Sequence, residues 1–102
     1  MQAATHLAIN VPLRVLERTV TALDCEERAA TGNANARSDA GVAALSARAC
    51  AEGAWYNVLI NLSGLQDAAA TAQYRARADA ALQVVTERAE QICQQVRTDL
   101  QG

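Results

Sequence analysis

Six polar side chains in this sequence have the residue types that binding and proton transfer require. They are one carboxylate, one hydroxyl and four amides: Asp39, Ser38, Asn33, Asn35, Asn57 and Asn61. A carboxylate can give or take a proton, and amides and hydroxyls can orient a polar ligand. Two simpler explanations stay open. Residues 33–39 suit a turn followed by a helix N-cap, and the amides at 57 and 61 suit hydrogen bonds to backbone at a helix contact.

The remaining reactive side chains are isolated along the chain. His6 lies outside any cluster, and the cysteines Cys25, Cys50 and Cys93 are far apart without a CxxC pair. We therefore expect no zinc site, no metal cofactor and no thiol nucleophile with a nearby base. Three scattered thiols without a signal peptide indicate reduced cysteines in a cytoplasmic protein.

The composition indicates a small helical protein. The chain has 102 residues, of which 24 are Ala, 51% are hydrophobic and only 3% are aromatic. These values exclude a β-sandwich or barrel, which needs β-branched and aromatic strand residues, and they exclude a disordered chain. The nine basic residues are all Arg and the net charge is -2, so we expect no nucleic-acid partner. No apolar run approaches the ~18 residues of a membrane span, so we expect no membrane partner.

Hydrophobic periodicity predicts an all-α fold, in which three long helices form an up-down bundle within a single domain. The helices cover about residues 3–30, 39–62 and 67–99, joined at 31–37 and 63–67. Ser38 is the predicted N-cap of the second helix, with Asp39 in its first turn. Pro12 either begins the first helix or lies inside a longer helix that begins upstream, and both possibilities stay open.

The first and third helices each carry one apolar stripe at helical spacing. In the first helix the stripe consists of Leu13, Leu16, Val20 and Leu23. In the third helix it consists of Tyr74, Ala78, Ala81, Val85, Ala89, Ile92 and Val96. Steps of three and four residues are typical of a bundle seam, so we expect both stripes to pack in the core.

The second helix has two distinct faces. Its apolar face, which we call the α2 stripe, consists of Val42, Leu45, Ala49, Tyr56 and Ile60. About 90° away lies a face of small and polar residues between Asp39 and Asn61, which would let another backbone come close. Three such helices leave apolar strips uncovered, so we expect a homodimer or higher oligomer, with the second and third helices contributing to the contact. The alternative is a compact monomeric three-helix bundle.

The spacing of the polar residues also favours pairing of two copies. Asp39 and Asn57 share a face but lie 18 residues apart, which is about 27 Å along a helix with a rise of ~1.5 Å per residue. One straight helix cannot gather them into one site. Antiparallel pairing of two copies would bring Asp39 of one chain near Asn57 or Asn61 of the other. A site at a dimer interface is therefore one hypothesis.

The middle of the chain resembles the formiminotransferase-cyclodeaminase family. Residues 32–45 read GNANARSDAGVAAL, which is similar to the family signature GNPNAVSDAGVAALLA in the cyclodeaminase/cyclohydrolase domain. Residues 52–62 read EGAWYNVLINL, which is similar to the family segment GA..NV.INL. A Val-Pro-Leu at residues 11–13 matches the family upstream, and the third helix corresponds to its charged C-terminal helix. The resemblance extends over nearly all of the chain and corresponds to the C-terminal half of that domain.

The resemblance implies an all-helical, dimeric folate protein. The family binds reduced folate and acts as a lyase that releases ammonia from 5-formiminotetrahydrofolate, or it hydrolyses 5,10-methenyltetrahydrofolate. By this resemblance a tetrahydrofolate derivative is the ligand or substrate. The residues that would line or support its pocket are Asn33, Asn35, Ser38, Asn57 and Asn61. Asp39 is the candidate general acid/base, because it alone in the set is ionisable.

Three functions are compatible with this resemblance. The chain is one part of a split enzyme completed by a partner chain that supplies the other half of the domain. Alternatively, it is a shortened relative that dimerises and binds a folate-like ligand without activity of its own. The third possibility is a non-enzymatic helical oligomerisation module that keeps the fold alone.

Overall fold

A computed structural model describes residues 2–29 and 34–102 of the chain. These residues form α1 (Gln2–Ala29), α2 (Ala34–Leu62) and α3 (Ala68–Gln101). Within the described ranges every regular element is a helix, so the all-α prediction is confirmed. None of the helices in these ranges is both long enough and apolar enough to cross a membrane.

The three helices run up, down and up. Gln2, at the start of α1, holds the link between α2 and α3: its side-chain amide donates to the Gly64 carbonyl at 3.0 Å and accepts from the Gln66 N–H at 3.0 Å. The ion pair between Arg37 and Asp99, with atoms 3.8 Å apart, joins the start of α2 to the end of α3. α1 and α3 are therefore parallel, and α2 runs antiparallel to both.

The sequence left two possibilities for the first helix: a start at Pro12 or a longer helix that begins upstream. The structure shows the longer helix. It begins at Gln2 and continues through Pro12, which lies well inside the helix. Proline has no N–H, so the carbonyl of Ala8 does not receive the usual hydrogen bond from the residue four positions later. α1 therefore tolerates one interrupted backbone bond near its middle.

α2 begins one turn earlier than predicted. It starts at Ala34, so Ser38 and Asp39 lie inside the helix and the predicted N-cap role of Ser38 is wrong. The upstream residues 34–37 include two alanines and an arginine, which are good helix formers and extend the helix. The predicted connection between the first two helices begins at residues 31–33, which lie outside the described residues.

α3 agrees closely with its prediction of residues 67–99. Its N-cap is Asp67, whose Oδ1 accepts from the N–H groups of Ala69 at 2.9 Å and Ala70 at 3.2 Å. Those N–H groups have no partner within the helix, so the carboxylate fixes where α3 begins. The link at 63–67 is confirmed.

Large side chains of α1 pack against small ones of α2 and against the seam of α3. α1 contributes Ile9, Leu13, Leu16 and Leu23, all fully buried. α2 contributes Ala40, Ala44, Ala51, Ala54, Val58 and Leu62. The predicted stripes of α1 and α3 are confirmed as core, with Val20 and Tyr74 partly buried at its edge.

The helices of this bundle approach closely where their side chains are small. A Cβ added at Gly41 of α2 would lie 3.1 Å from Cγ1 of Val96 in α3, which is tighter than ordinary contact. The bundle is therefore narrow, with extents of 54 × 17 × 16 Å. Its radius of gyration is 16.1 Å, compared with about 13 Å for a compact domain of this length.

The α2 stripe lies on the outside of the bundle. Val42 is 62% exposed and Ile60 is 73% exposed, and Leu45 and Tyr56 are also more than half exposed. The alanine-rich face of α2 turns to the core instead, because only small side chains fit between two neighbouring helices that lie so close. The strongest apolar face of α2 therefore has no partner within the described part of this chain.

Candidate functional site

A groove of about 660 Å³ runs between α1 and α2 on the side away from α3. α1 lines it with Ala8, Val11, Pro12 and Val15. α2 lines it with Ala49, Cys50, Gly53, Ala54, Asn57 and Asn61. The small side chains leave the space open, and the two asparagines supply polar groups at one end. The groove therefore brings together two of the six predicted site residues.

The two asparagines are not buried as the surrounding apolar sequence suggests. Asn57 is exposed and Asn61 is partly buried, because Ala54, Val58 and Leu62 make the core contacts of this segment. Nδ2 of Asn61 donates to the backbone carbonyl of Asn57 at 2.7 Å. Within the described part of the chain the Asn57 side chain makes no hydrogen bond. Its amide is therefore available to a ligand.

The opposite wall of the groove offers a polar group that sequence analysis missed. Ala8 and Pro12 both line the groove, and the Ala8 carbonyl lacks the hydrogen bond that Pro12 cannot donate. A carbonyl without its helical donor can accept from a ligand N–H. The sequence does indicate this carbonyl, because Pro12 lies inside a helical pattern and cannot donate to the residue four positions before it.

Ser38 and Asp39 lie at the other end of α2 and do not reach this groove. Ser38 borders a smaller space of about 200 Å³ between α2 and α3, together with Arg97 and Leu100. Asp39 is exposed, and unbroken helix separates it from Asn57 by about 27 Å at ~1.5 Å per residue. Asn33 and the side chain of Asn35 lie outside the described residues. One chain therefore does not gather the predicted set.

His6 is not isolated, contrary to the expectation from sequence. Its Nδ1 lies 2.7 Å from the Tyr74 hydroxyl, and Nδ2 of Asn10 donates to the same hydroxyl at 3.1 Å. The rings of His6 and Tyr74 are also tilted against each other at 5.6 Å. Periodicity alone places Tyr74 on the seam of α3, but it does not show that α1 lies parallel to it with His6 alongside.

Two of the three cysteines have side chains that the structure describes. Cys50 is exposed in the groove and Cys93 is buried in the core. Among residues 2–23 and 36–102, whose side chains the structure describes, no group of three or more His, Cys, Asp and Glu side chains could hold a metal ion.

The groove has the chemistry of a binding surface. Its lining has no carboxylate, histidine or arginine, and its polar atoms belong to two asparagines, Cys50 and the backbone. Such a surface suits a flat, largely apolar molecule with hydrogen-bonding edges. A group that moves protons would have to come from another part of the molecule or from a second copy.

Comparisons with known proteins agree with the motifs at residues 32–45 and 52–62. The family described as formiminotransferase-cyclodeaminase matches residues 1–80, a range that contains all six predicted site residues. The formimidoyltransferase-cyclodeaminase of Sus scrofa is 41% identical over 85 residues, which cover 81% of this chain and 16% of that protein. The chain thus spans about a sixth of this curated relative. The family match ends within α3, so the correspondence of residues 81–102 to the family's C-terminal helix stays a prediction.

Both motifs, the helical fold and the matched range lead to one conclusion. The chain belongs to the formiminotransferase-cyclodeaminase family.

Proposed function

We propose that this chain binds a tetrahydrofolate derivative in the groove between α1 and α2 and takes part in formiminotetrahydrofolate cyclodeamination or the related cyclohydrolysis. The observation that carries the proposal is the groove itself, lined by Asn57 and Asn61 in a member of this family. A pterin ring is flat and has donors and acceptors on its edge. The Asn57 amide and the Ala8 carbonyl offer one group of each kind on facing walls.

The chemistry of cyclodeamination defines what a catalytic residue must do. N10 of the folate attacks the formimino carbon, the N10–C bond forms, and the proton of N10 passes to the imino nitrogen. The C–N bond to that nitrogen then breaks, which releases ammonia and leaves the 5,10-methenyl product. The leaving nitrogen needs a proton, and a general acid supplies it. Asp39 is our candidate for this role. The reaction would make the assembled enzyme a lyase.

This role of Asp39 requires a second polypeptide. Asp39 lies about 27 Å from Asn57 along one helix, so the two cannot serve one ligand within a chain. An antiparallel pair of copies would place Asp39 of one subunit beside the asparagines of the other. We therefore propose a homodimer in the cytoplasm. A partner chain that supplies the remainder of the family domain is the alternative source of missing groups.

A second candidate function is a non-enzymatic helical oligomerisation module. The exposed α2 stripe favours it, because a long apolar face is suited to a partner helix whether or not a ligand binds. The groove lining also contains no carboxylate or histidine. In this case the fold would be retained for assembly alone.

Ligand binding distinguishes the two candidates. The purified chain is heated with an excess of 5-formyltetrahydrofolate, a stable analogue of the formimino substrate, and separately with p-aminobenzoylglutamate, which lacks the pterin. A ligand that binds only the folded state raises the melting temperature. We expect a rise with the folate that is absent with the fragment. No rise with the folate would overturn the folate proposal in favour of the oligomerisation module.

Two variants test where the ligand binds. Asn57→Ala should weaken folate binding about tenfold, which corresponds to one lost hydrogen bond of about 1.4 kcal/mol. The control is Gln73→Ala, an exposed amide on α3 outside the groove, which should leave binding unchanged. Equal effects of the two variants would contradict a site in this groove.

Turnover is followed separately by ammonia release, and Asp39→Asn should abolish it.

A further inference from the structure

A second space of about 540 Å³ lies between α2 and α3, at the end of the bundle where the link joins them. It is separate from the groove between α1 and α2, because no residue lines both. We call it the link pocket. Its lining runs from Leu59 in the last turn of α2, through the link, to Arg75 in the second turn of α3.

The floor of the link pocket is apolar. Leu59, Leu62 and Leu65 line it, together with Ala68 and Ala72. Leu62 is buried, while Leu59 and Leu65 are only partly buried and pack against the edge of the core. Burial of apolar surface is favourable, so a ligand with an apolar chain would be stabilised by the area that these two leucines still expose.

The wall of the link pocket carries a cation. Among the described residues that line it, Arg75 is the one with an ionised side chain. The hydroxyl groups of the lining already donate to backbone carbonyls: Ser63 to Ile60 at 3.1 Å, and Thr71 to Asp67 at 3.0 Å. A ligand in this space therefore meets a cationic hydrogen-bond donor beside an apolar floor.

The guanidinium of Arg75 is held in place by a carboxylate. Its Nε donates to Oδ2 of Asp79 at 3.1 Å, and Nε1 of Trp55 in α2 donates to Oδ1 of the same carboxylate at 2.8 Å. A guanidinium has five N–H donors, of which Asp79 accepts the one on Nε. The N–H groups on the two Nη atoms make no hydrogen bond within the described part of the chain. They are therefore available to a ligand.

We propose that the link pocket binds an aliphatic monocarboxylate, with its carboxylate on the Nη groups of Arg75 and its hydrocarbon chain on the leucines. Hydrogen bonds between a guanidinium and a carboxylate are short and strong, because both groups are charged. The volume of about 540 Å³ lies within the ~300–1,000 Å³ of small-molecule sites. The inference goes beyond the proposed function, since it concerns a different ligand in a different part of the bundle.

The neighbouring charges favour a ligand with one carboxylate over a ligand with two. Asp79 already accepts from Arg75, and Asp67 caps α3 directly before Ala68 of the lining. A second carboxylate on the ligand would come close to these two without a cation of its own, and like charges repel. Folates and p-aminobenzoylglutamate carry two carboxylates, so they suit the link pocket poorly.

The length of the link pocket suits a hydrocarbon chain of medium length. Ala68 and Arg75 both line it and lie seven residues apart in α3, which is about 10 Å at ~1.5 Å per residue. An extended chain of about eight carbons spans this distance, because each bond of ~1.5 Å advances it by ~1.3 Å. Octanoate is therefore the probe that fits, while hexanoate leaves part of the floor uncovered and acetate does not reach it.

The first test uses the fluorescence of Trp55, the single tryptophan of the chain, which hydrogen-bonds to the carboxylate that holds Arg75. The full chain, without folate, is titrated with octanoate, hexanoate, acetate and 1-octanol at constant ionic strength. We expect a saturable change with octanoate, binding about tenfold weaker with hexanoate, and no change with acetate. 1-Octanol has the chain without the charge and should bind at least ~10-fold more weakly than octanoate. No change with octanoate, or equal binding of 1-octanol, would overturn the proposal.

The second test locates the site by calorimetry with octanoate. Arg75→Gln should weaken binding at least ~10-fold, because it removes the cation. Arg77→Gln is the matched control: its guanidinium is similarly exposed on α3 and pairs with Glu17 at 2.9 Å, but it does not line the link pocket. Equal effects of the two variants would contradict the assignment.

A third variant separates this site from the folate groove. Asn57→Ala changes the groove alone, so octanoate binding should stay as in the unchanged chain. Loss of octanoate binding in Asn57→Ala would place the carboxylate in the groove and overturn the link-pocket proposal. Circular dichroism confirms that each variant remains helical. Since the octanoate assays contain no folate, failure of this proposal and failure of folate binding are read from separate measurements.

Discussion

The hydroxyl of Tyr74 lies 2.7 Å from Nδ1 of His6, and this contact joins α3 to α1 near one end of the bundle. Nδ2 of Asn10 donates to the same hydroxyl at 3.1 Å, so one oxygen of α3 contacts two side chains of α1. Nδ2 of Asn10 also donates to the backbone carbonyl of His6 at 3.0 Å, which holds the Asn10 side chain in place beside Tyr74. His6, Asn10 and Tyr74 thus form a polar contact between two parallel helices.

Tyr74→Phe should destabilise the fold by about 1–2 kcal/mol, because it leaves His6 and Asn10 partly buried without their shared partner. Urea unfolding at a low protein concentration, where the monomer prevails, measures the change by circular dichroism. The control is Tyr56→Phe, which removes a hydroxyl from an exposed ring and should change the free energy of unfolding by less than about 0.5 kcal/mol. Equal effects would show that the Tyr74 contact contributes nothing to stability.

Leu16→Ala should destabilise the chain by about 2–5 kcal/mol, because removal of this fully buried side chain leaves a cavity in the core. Leu7→Ala removes the same atoms from a side chain that is 65% exposed in one chain, and is the matched control. Unfolding at a low protein concentration, where the monomer prevails, should show little effect of the control. A similar loss in both variants would contradict the assignment of the core.

Pro12→Ala should stabilise α1 by about 1–3 kcal/mol, because it restores the N–H that the Ala8 carbonyl lacks. For a chain of this size that is a rise in melting temperature of at least several degrees. The restored bond also occupies the Ala8 carbonyl, so folate binding should weaken while the fold strengthens. A lower melting temperature would contradict the claim that the proline interrupts the helix at a cost.

Gly53→Ala should stabilise the isolated chain by about 0.5–1 kcal/mol, since its Cβ would enter open space and alanine favours the helix. Gly41→Ala is the comparison. Its Cβ would lie 3.1 Å from Cγ1 of Val96, so the same gain in helix propensity should be offset by the displacement of that side chain in the core. Chemical unfolding of both variants at low concentration measures the difference. An equal gain at both positions would show that Gly41 is not needed for the close approach of α2 and α3.

The sequence predicted the positions of the three helices better than it predicted which side of α2 faces the core. The stripes of α1 and α3 were predicted correctly because large residues such as Leu13 and Ile92 mark a core by periodicity. The orientation of α2 was not predictable in this way. Its core face is alanine, which periodicity scores weakly, while its larger residues face outward. The start of α2 was also missed, since a good N-cap sequence at Ser38 competes with favourable helix formers just before it.

The candidate site could be predicted only in part. Motif resemblance selected Asn57 and Asn61, and both line the groove. It also selected Asp39, whose relation to them depends on how helices pair between chains. The sequence of one chain does not give the distance between residues of two different chains. The proximity of Asp39 to Asn57 and Asn61 of a second copy therefore stays a prediction. Sequence analysis missed the Ala8 carbonyl, because residue types do not show which backbone groups lack a hydrogen-bond partner. The sign of it in the sequence is Pro12, which has no N–H to donate.

The narrow outline of the bundle has a consequence for its behaviour in solution. With extents of 54 × 17 × 16 Å, one chain is a rod about three times as long as it is wide. A rod tumbles and diffuses more slowly than a sphere of equal mass, so a single chain would leave a sizing column early and resemble a heavier particle. Two rods laid side by side double the mass while the length stays nearly the same. Pairing would therefore make the particle more compact for its mass, and its frictional ratio would fall.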